Sequence, residues 1–241
     1  MSGHSKWATT HRQKAIVDAK RGAIFTKIGN QIAIAARGGT DPATNSALAM
    51  AIEKAKAANM PNANIQRAID RVNDKNAAAL EEVTYEAYGP GGVGIIVEAA
   101  TDNKNRTYPE IRTALTKNGG TMADAGSVMF QFTRKGVIRV AATGEDALLQ
   151  VLDAGAEDAV EESGGLTVYT DMKDLAKVRA ALVQAGLNVE DAELQYVANN
   201  DVPVDDIETA RKLMKVLDAV EELDDVTNVH TNADITVGFD E

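Results

Sequence analysis

Lys6, Arg12, Lys14, Lys20, Arg21 and Lys27 fall within the first 27 residues, beside His4, Trp7 and His11 and a single carboxylate, Asp18. Cations in that density lack the paired acid and base that proton transfer needs. They suit phosphate contact, in which each cation releases condensed counterions and gives affinity without reading sequence. Trp7, the only Trp of the chain, adds a ring that can stack on an unpaired base, worth roughly 1–3 kcal/mol. His4 and His11 supply further polar contacts. These residues are the primary candidate nucleic-acid contacts.

Other residues invite chemistry and are weaker candidates. Gly89-Pro90-Gly91-Gly92-Val93-Gly94 matches G-x-G-x-x-G, yet a dinucleotide site needs that motif between a strand and a helix. Here a second strand is expected to follow, so the motif reads as a hairpin loop whose glycines allow close backbone approach. The long glycine-bearing connection from Gly119 to Ser127 is a second loop of interest. Gly91, Gly92, Lys104, Arg106, Lys117, Gly120 and Ser127 form a secondary contact set. The acidic runs Glu157-Asp158, Glu161-Glu162, Glu221-Glu222 and Asp224-Asp225 lack EF-hand spacing and read as solvated faces. No P-loop, activated nucleophile or metal-ligand set is visible, so no enzyme activity, metal or cofactor is expected.

Charge is segregated along the chain. Residues 1–75 carry a net charge of +7, residues 76–140 none and residues 141–241 −18, within a total of −11. Such a gradient predicts one zone that meets an anion and another that repels it. The absence of Cys excludes disulfides and thiolate sites and fits a reducing compartment. No window approaches the ~20 apolar residues of a membrane span, and no apolar run follows the first basic residues as in a signal peptide. A cytoplasmic protein without a membrane partner is expected.

The elements that must position these residues follow from periodicity. Residues 1–14 are expected to form a mobile arm. A helix from Ala15 to Gly38-Gly39 places Phe25, Ile28, Ile32, Ala35 and Ala36 on one face and Lys20, Lys27 and Gln31 on another. Helices at 45–59 and 62–72 complete a three-helix domain. Strands at 83–88 and 93–100, a helix at 103–118 and a strand at 128–132 make a β-β-α-β unit. Residues 136–198 read β-α-β-β-α-β, the order of a ferredoxin-like sandwich. The remaining helix (205–222) and strand (226–230) have no sheet of their own, and return to complete the unit left open at Phe132. The fold class is thus α+β: an N-terminal three-helix domain plus two small α/β, ferredoxin-like domains, one inserted into the other. The expected boundaries are 1–77 for the basic helical domain, 78–133 with 204–241 for the discontinuous domain, and 134–203 for the acidic insert.

Several strings together resemble one family. They are Gly3-His4-Ser5-Lys6-Trp7, Asp18-Ala19-Lys20-Arg21-Gly22, Phe25-Thr26-Lys27, Ala35-Ala36-Arg37, Tyr88-Gly89-Pro90-Gly91-Gly92 and Thr101-Asp102-Asn103-Lys104-Asn105-Arg106-Thr107, then Gly119-Gly120 with Gly126-Ser127-Val128. In that order they are similar to the YebC/PmpR family. The resemblance implies a three-domain cytosolic protein acting in gene expression. Bacterial members are described as probable transcriptional regulators that bind DNA, a mitochondrial relative is a translational activator, and some members resemble ribosome-associated factors. The chain departs from the pattern at Ala8 to Lys14, where relatives carry a denser basic cluster, and at Ala23, where a Lys is common.

The first expectation is therefore a DNA-binding regulator of transcription. The alternative is a ribosome-associated translational activator bound to ribosomal RNA. A further alternative is an adaptor whose acidic domain docks on a basic protein. No recognition helix, zinc finger or RNP aromatic pair singles out one polymer. Reversing Lys20 and Lys27 to Glu is expected to abolish binding and spare the fold, because both lie off the apolar face.

Overall fold

The computed structural model describes residues 21–74, 78–162 and 164–237. The chain divides into two compact units. One runs through Phe132 and resumes at Ala198, and the other is Thr133–Val197.

The first unit begins with three helices, α1 (Arg21–Ala36), α2 (Ser46–Ala57) and α3 (Asn62–Asp70). Ile28, Ile32 and Ala36 of α1 recur at helical spacing and close against Leu48, Ala55, Met60, Ile65 and Ile69. One side chain joins two helix ends. Asn45 Oδ1 accepts from Leu48 N at 3.1 Å as the N-cap of α2, while its Nδ2 donates to Ala35 O (2.7 Å) and Gly39 O (2.8 Å) past the end of α1.

The sheet of this unit has β1 (Glu81–Tyr88), β2 (Gly94–Thr101) and, after α4 (Lys104–Asn118), the two-residue β3 (Thr121–Met122). The G-x-G-x-x-G stretch turns β1 into the antiparallel β2 with Tyr88 opposite Gly94, so it is a hairpin. Asn103 caps α4 through Arg106 N, and Gly119 ends it in the left-handed region at φ +96°.

The expected strand at 128–132 is not one. Met129–Gln131 is a single 3-10 turn, and Thr121–Met122 takes the place beside β1. The cause is Glu86, whose carboxylate accepts three backbone N–H bonds from this segment and bends it away from a ladder.

The second unit holds β4 (Phe132–Val140), which starts at the boundary, then α5 (Glu145–Asp153), β5 (Asp158–Glu162), β6 (Gly165–Thr170), α6 (Leu175–Gln184) and β7 (Val189–Ala198). Its sheet order is β5-β6-β4-β7, the ferredoxin-like arrangement that the element order predicted. Ile138, Val140, Val151, Leu166, Val168, Val178 and Leu182 are buried in it.

The chain then returns to the first unit through β8 (Val202–Val204), α7 (Ile207–Glu221), β9 (Val226–Thr231) and β10 (Ala233–Ile235). β9 pairs antiparallel with β2, giving the order β3-β1-β2-β9, and β10 pairs in parallel with β8. Leu213, Val216, Leu217 and Val220 of α7 pack with Ile111 and Leu115 of α4 over Ile95 and Val97. The helix α1 lies against β2 and β9.

Candidate nucleic-acid interface

The primary candidates His4, Lys6, Trp7, His11, Arg12, Lys14 and Lys20 lie outside the described residues, and Arg21 opens α1 with its side chain outside them too. Lys27 is described, and it does not stand free on a polar face. Its Nζ donates to the carbonyl of Glu221 at the C-terminal end of α7. Burial pushes the Lys27 ammonium below its ordinary value, opposed by the charges of Glu221, Asp224 and Glu222. The helix end itself is electronegative, so a cation there completes the orphan carbonyls. The expectation that Lys27 can be reversed to Glu without harm to the fold is corrected. Off the helical core is not the same as in solvent, because the end of α7 covers Lys27.

Other cations of the helical region are used in the same way. Arg37 Nη1 donates to Leu80 O at 2.9 Å, and Arg71 lies 3.7 Å from Asp102. Both join the three helices to the strand layer.

The secondary set separates into two groups at opposite ends of α4, about 20 Å apart along its axis. At the N-terminal end, Lys104 pairs with Glu81 at 2.5 Å. Arg106 Nη2 reaches Asp225 at 2.8 Å and Asp102 at 3.2 Å. Asp225 also accepts from Thr107 (2.6 Å) and Thr101 (3.0 Å). Burial would raise the Asp225 carboxyl; the hydrogen bonds of Thr107, Arg106 and Thr101 outweigh it and hold the carboxyl below its ordinary value. Asp225 was expected on a solvated face and is instead the centre of a polar cluster.

At the other end, loops 89–92 and 119–131 meet. Tyr88 pairs with Thr121, its hydroxyl donates to Ser127 O at 2.9 Å, and a Cβ on Gly119 would lie 3.9 Å from Pro90. Gly91 and Gly92 have φ +80° and +75°, which favours glycine. Gly120 is buried, with room for a Cβ only 3.1 Å from Leu115 and Val216. Ser127 Oγ donates to Asp124 O at 2.6 Å. Lys117 is exposed beside this group.

Sequence reasoning missed Glu86, which organises the second group. The residue is 7 % exposed, and its oxygens accept from Gly126 N (2.5 Å), Val128 N (2.6 Å) and Met129 N (2.7 Å). Burial would raise its carboxyl, but the three donors prevail and keep it below the ordinary range. The turn they hold presents Phe130, 72 % exposed, the most open of the large apolar side chains among the described residues. The available signal was an acid at a position of β1 that faces a glycine-rich loop. Among the described residues no cluster could hold a metal ion. No described helix is long and apolar enough to cross a membrane.

Two family models match the chain: "TACO1/YebC protein N-terminal domain" over residues 5–75 and "TACO1/YebC second and third domain" over residues 80–233. A "Probable transcriptional regulatory protein" of Rhodococcus opacus is 49 % identical over 242 residues, covering 98 % of this chain and 96 % of its own. One of the same name from Salinispora tropica is 50 % identical over 240 residues, covering 97 % and 96 %. The crystal structure of a conserved hypothetical protein from Aquifex aeolicus superposes with a TM-score of 0.88 at 41 % identity, over 94 % of this chain and 95 % of that one.

Proposed function

Because the chain belongs to the TACO1/YebC family, we propose that it is a nucleic-acid-binding regulator of gene expression, held to its polymer by the basic N-terminal segment. The relatives' names supply the regulatory role. The observation that carries the binding mode is charge segregation, +7 over residues 1–75 against −18 over residues 141–241. A phosphate backbone drawn to the first zone is turned away by the last, which orients the protein on it.

In this reading Lys6, Arg12, Lys14, Lys20 and Arg21 neutralise phosphates and Trp7 stacks on a base. The described cations Lys27, Arg37 and Arg71 brace the helices instead, which lowers the number of cations the segment can commit. Lys117, with the backbone of the loops around Gly91 and Ser127, provides a second, weaker contact. No proton or group transfer is involved, and the proposed setting is the cytoplasm.

The test is a salt titration of the full chain against a short DNA duplex and a structured RNA hairpin, read by fluorescence anisotropy. About five phosphate contacts give a slope of log affinity on log salt of about −4.5 on duplex DNA. The K6E/R12E/K14E variant should lower affinity and flatten the slope, and a slope near zero for the native chain would overturn the proposal. Sedimentation from lysate through a sucrose gradient then separates the polymers. Co-migration with ribosomal particles that high salt abolishes assigns ribosomal RNA; migration at the top at both salts favours a free regulator and moves the binding test to promoter DNA.

A further inference from the structure

The helix α5 of the second unit turns an unusual face outward. Ala147 and Val151 are its buried residues. At about 100° per residue, Leu149 lies opposite their midpoint, with Glu145, Leu152, Asp153 and Asp146 on the same outward half. Leu149 is 54 % exposed and Leu152 41 %. The helix has no Lys or Arg. The carboxylates of Glu145, Asp146 and Asp153 make no ion pair among the described residues.

Stability explains only part of this. Glu145 and Asp146 occupy the first turn, where the helix dipole favours acids. Asp153 occupies the last turn, where the dipole opposes an acid, and two leucines about one turn apart leave roughly half of their surface open to water. The surrounding unit, Thr133–Val197, has 12 Asp/Glu and 6 Lys/Arg, so a phosphate backbone is repelled from it.

From this geometry we propose that the outward face of α5 docks a basic amphipathic helix of a partner protein. Apolar residues spaced i, i+3 or i+4 on the partner cover Leu149 and Leu152. Its Lys and Arg residues, one turn to either side, meet Glu145, Asp146 and Asp153. This surface is independent of the nucleic-acid segment, so the protein joins a polymer at one zone to a basic protein at another.

The test uses the full chain and a synthetic Leu–Lys amphipathic peptide, with a Leu–Glu peptide of the same apolar pattern as control, read by isothermal titration. The native chain should bind the Leu–Lys peptide and not the Leu–Glu peptide. The L149S/L152S variant, which keeps every charge, should bind at least tenfold more weakly with an unchanged melting midpoint. The D171N/D174N variant, which removes charge elsewhere on the same unit, should bind as the native chain does. Equal binding by L149S/L152S would reduce the interaction to bulk charge and overturn the proposal, as would no binding of the Leu–Lys peptide. Self-association of the native chain that L149S/L152S abolishes would assign the face to a second copy and overturn it likewise. Nucleic-acid affinity is measured on the same variants and should not change, which separates this result from the function proposed above.

Discussion

The two ends of α4 carry the same kinds of residue and use them differently. At its start, Lys104 and Arg106 are engaged by Glu81, Asp102 and Asp225, one of which arrives from more than a hundred residues further along. At its end, Lys117 stands exposed beside loops bound together by backbone hydrogen bonds and by one buried carboxylate, Glu86. A cation is structural where the fold delivers an acid within reach and available where it does not. The difference lies in topology, since local sequence around 104–106 and around 117 reads alike as a polar helix end.

The most severe way to break the comparison is to remove what the returning segment delivers. A chain ending at Phe132 loses α7 and β9, hence Leu213, Val216, Leu217, Val220, Val226 and Val229 of the shared core, and with them Asp225. At about 2 kcal/mol for each buried aliphatic side chain, the loss is comparable to the total stability of a domain. The 1–132 fragment should show no cooperative thermal transition by circular dichroism, and a cooperative melt would refute a core built from both segments.

How much of this was legible depends on range. The end of the first helix, both bounds of the next two, the hairpin at Gly89–Gly92 and the β-α-β-β-α-β order of the second unit follow from local periodicity and turn residues, and they appear within a few residues of their expected bounds, while the expected start of the first helix at Ala15 lies outside the described residues. The return of α7 and β9 could be inferred because an amphipathic helix and a strand without a sheet must be placed somewhere. The strand expected at 128–132 failed because its apolar alternation resembles a strand, while the competing partner, Glu86, lies some 40 residues away. Lys27 failed for a related reason. A helical wheel separates core from non-core faces, but it cannot say that a second layer will bury the non-core face against the end of α7. Asp225 is the same lesson with the sign reversed: within an acidic run nothing marks the one carboxylate that Thr101, Arg106 and Thr107 will enclose.

Removing Glu86 attacks the other end of α4 at its organising point. Glu86→Ala leaves the Gly126, Val128 and Met129 N–H groups without their acceptor, and should cost about 3 kcal/mol in denaturant melts. The pH dependence has a definite sign. The folded carboxyl is held below its unfolded value, so its contribution is complete above the unfolded glutamate value of about 4.3. It is then lost as pH falls from there through the lower folded value. The native chain should therefore lose stability below about pH 4.3 more steeply than Glu86→Ala. Parallel acid melting of the two proteins would show that the carboxylate is not what holds the loop.

The smallest expected effect sharpens the comparison most, because it leaves the structure alone. Lys117 has no ion pair among the described residues and an exposed side chain, so Lys117→Glu should move stability by no more than about 0.5 kcal/mol. If the loop end of α4 meets phosphate, the same change should weaken nucleic-acid binding and reduce the salt slope by about 1. Lys104→Ala, at the paired end, should leave affinity and slope where they were, because Glu81 has already taken that charge. Both variants are read in one anisotropy titration across salt. Equal slopes for the two would mean that the exposed end contributes no more than the paired one, and the N-terminal segment would then carry the binding alone.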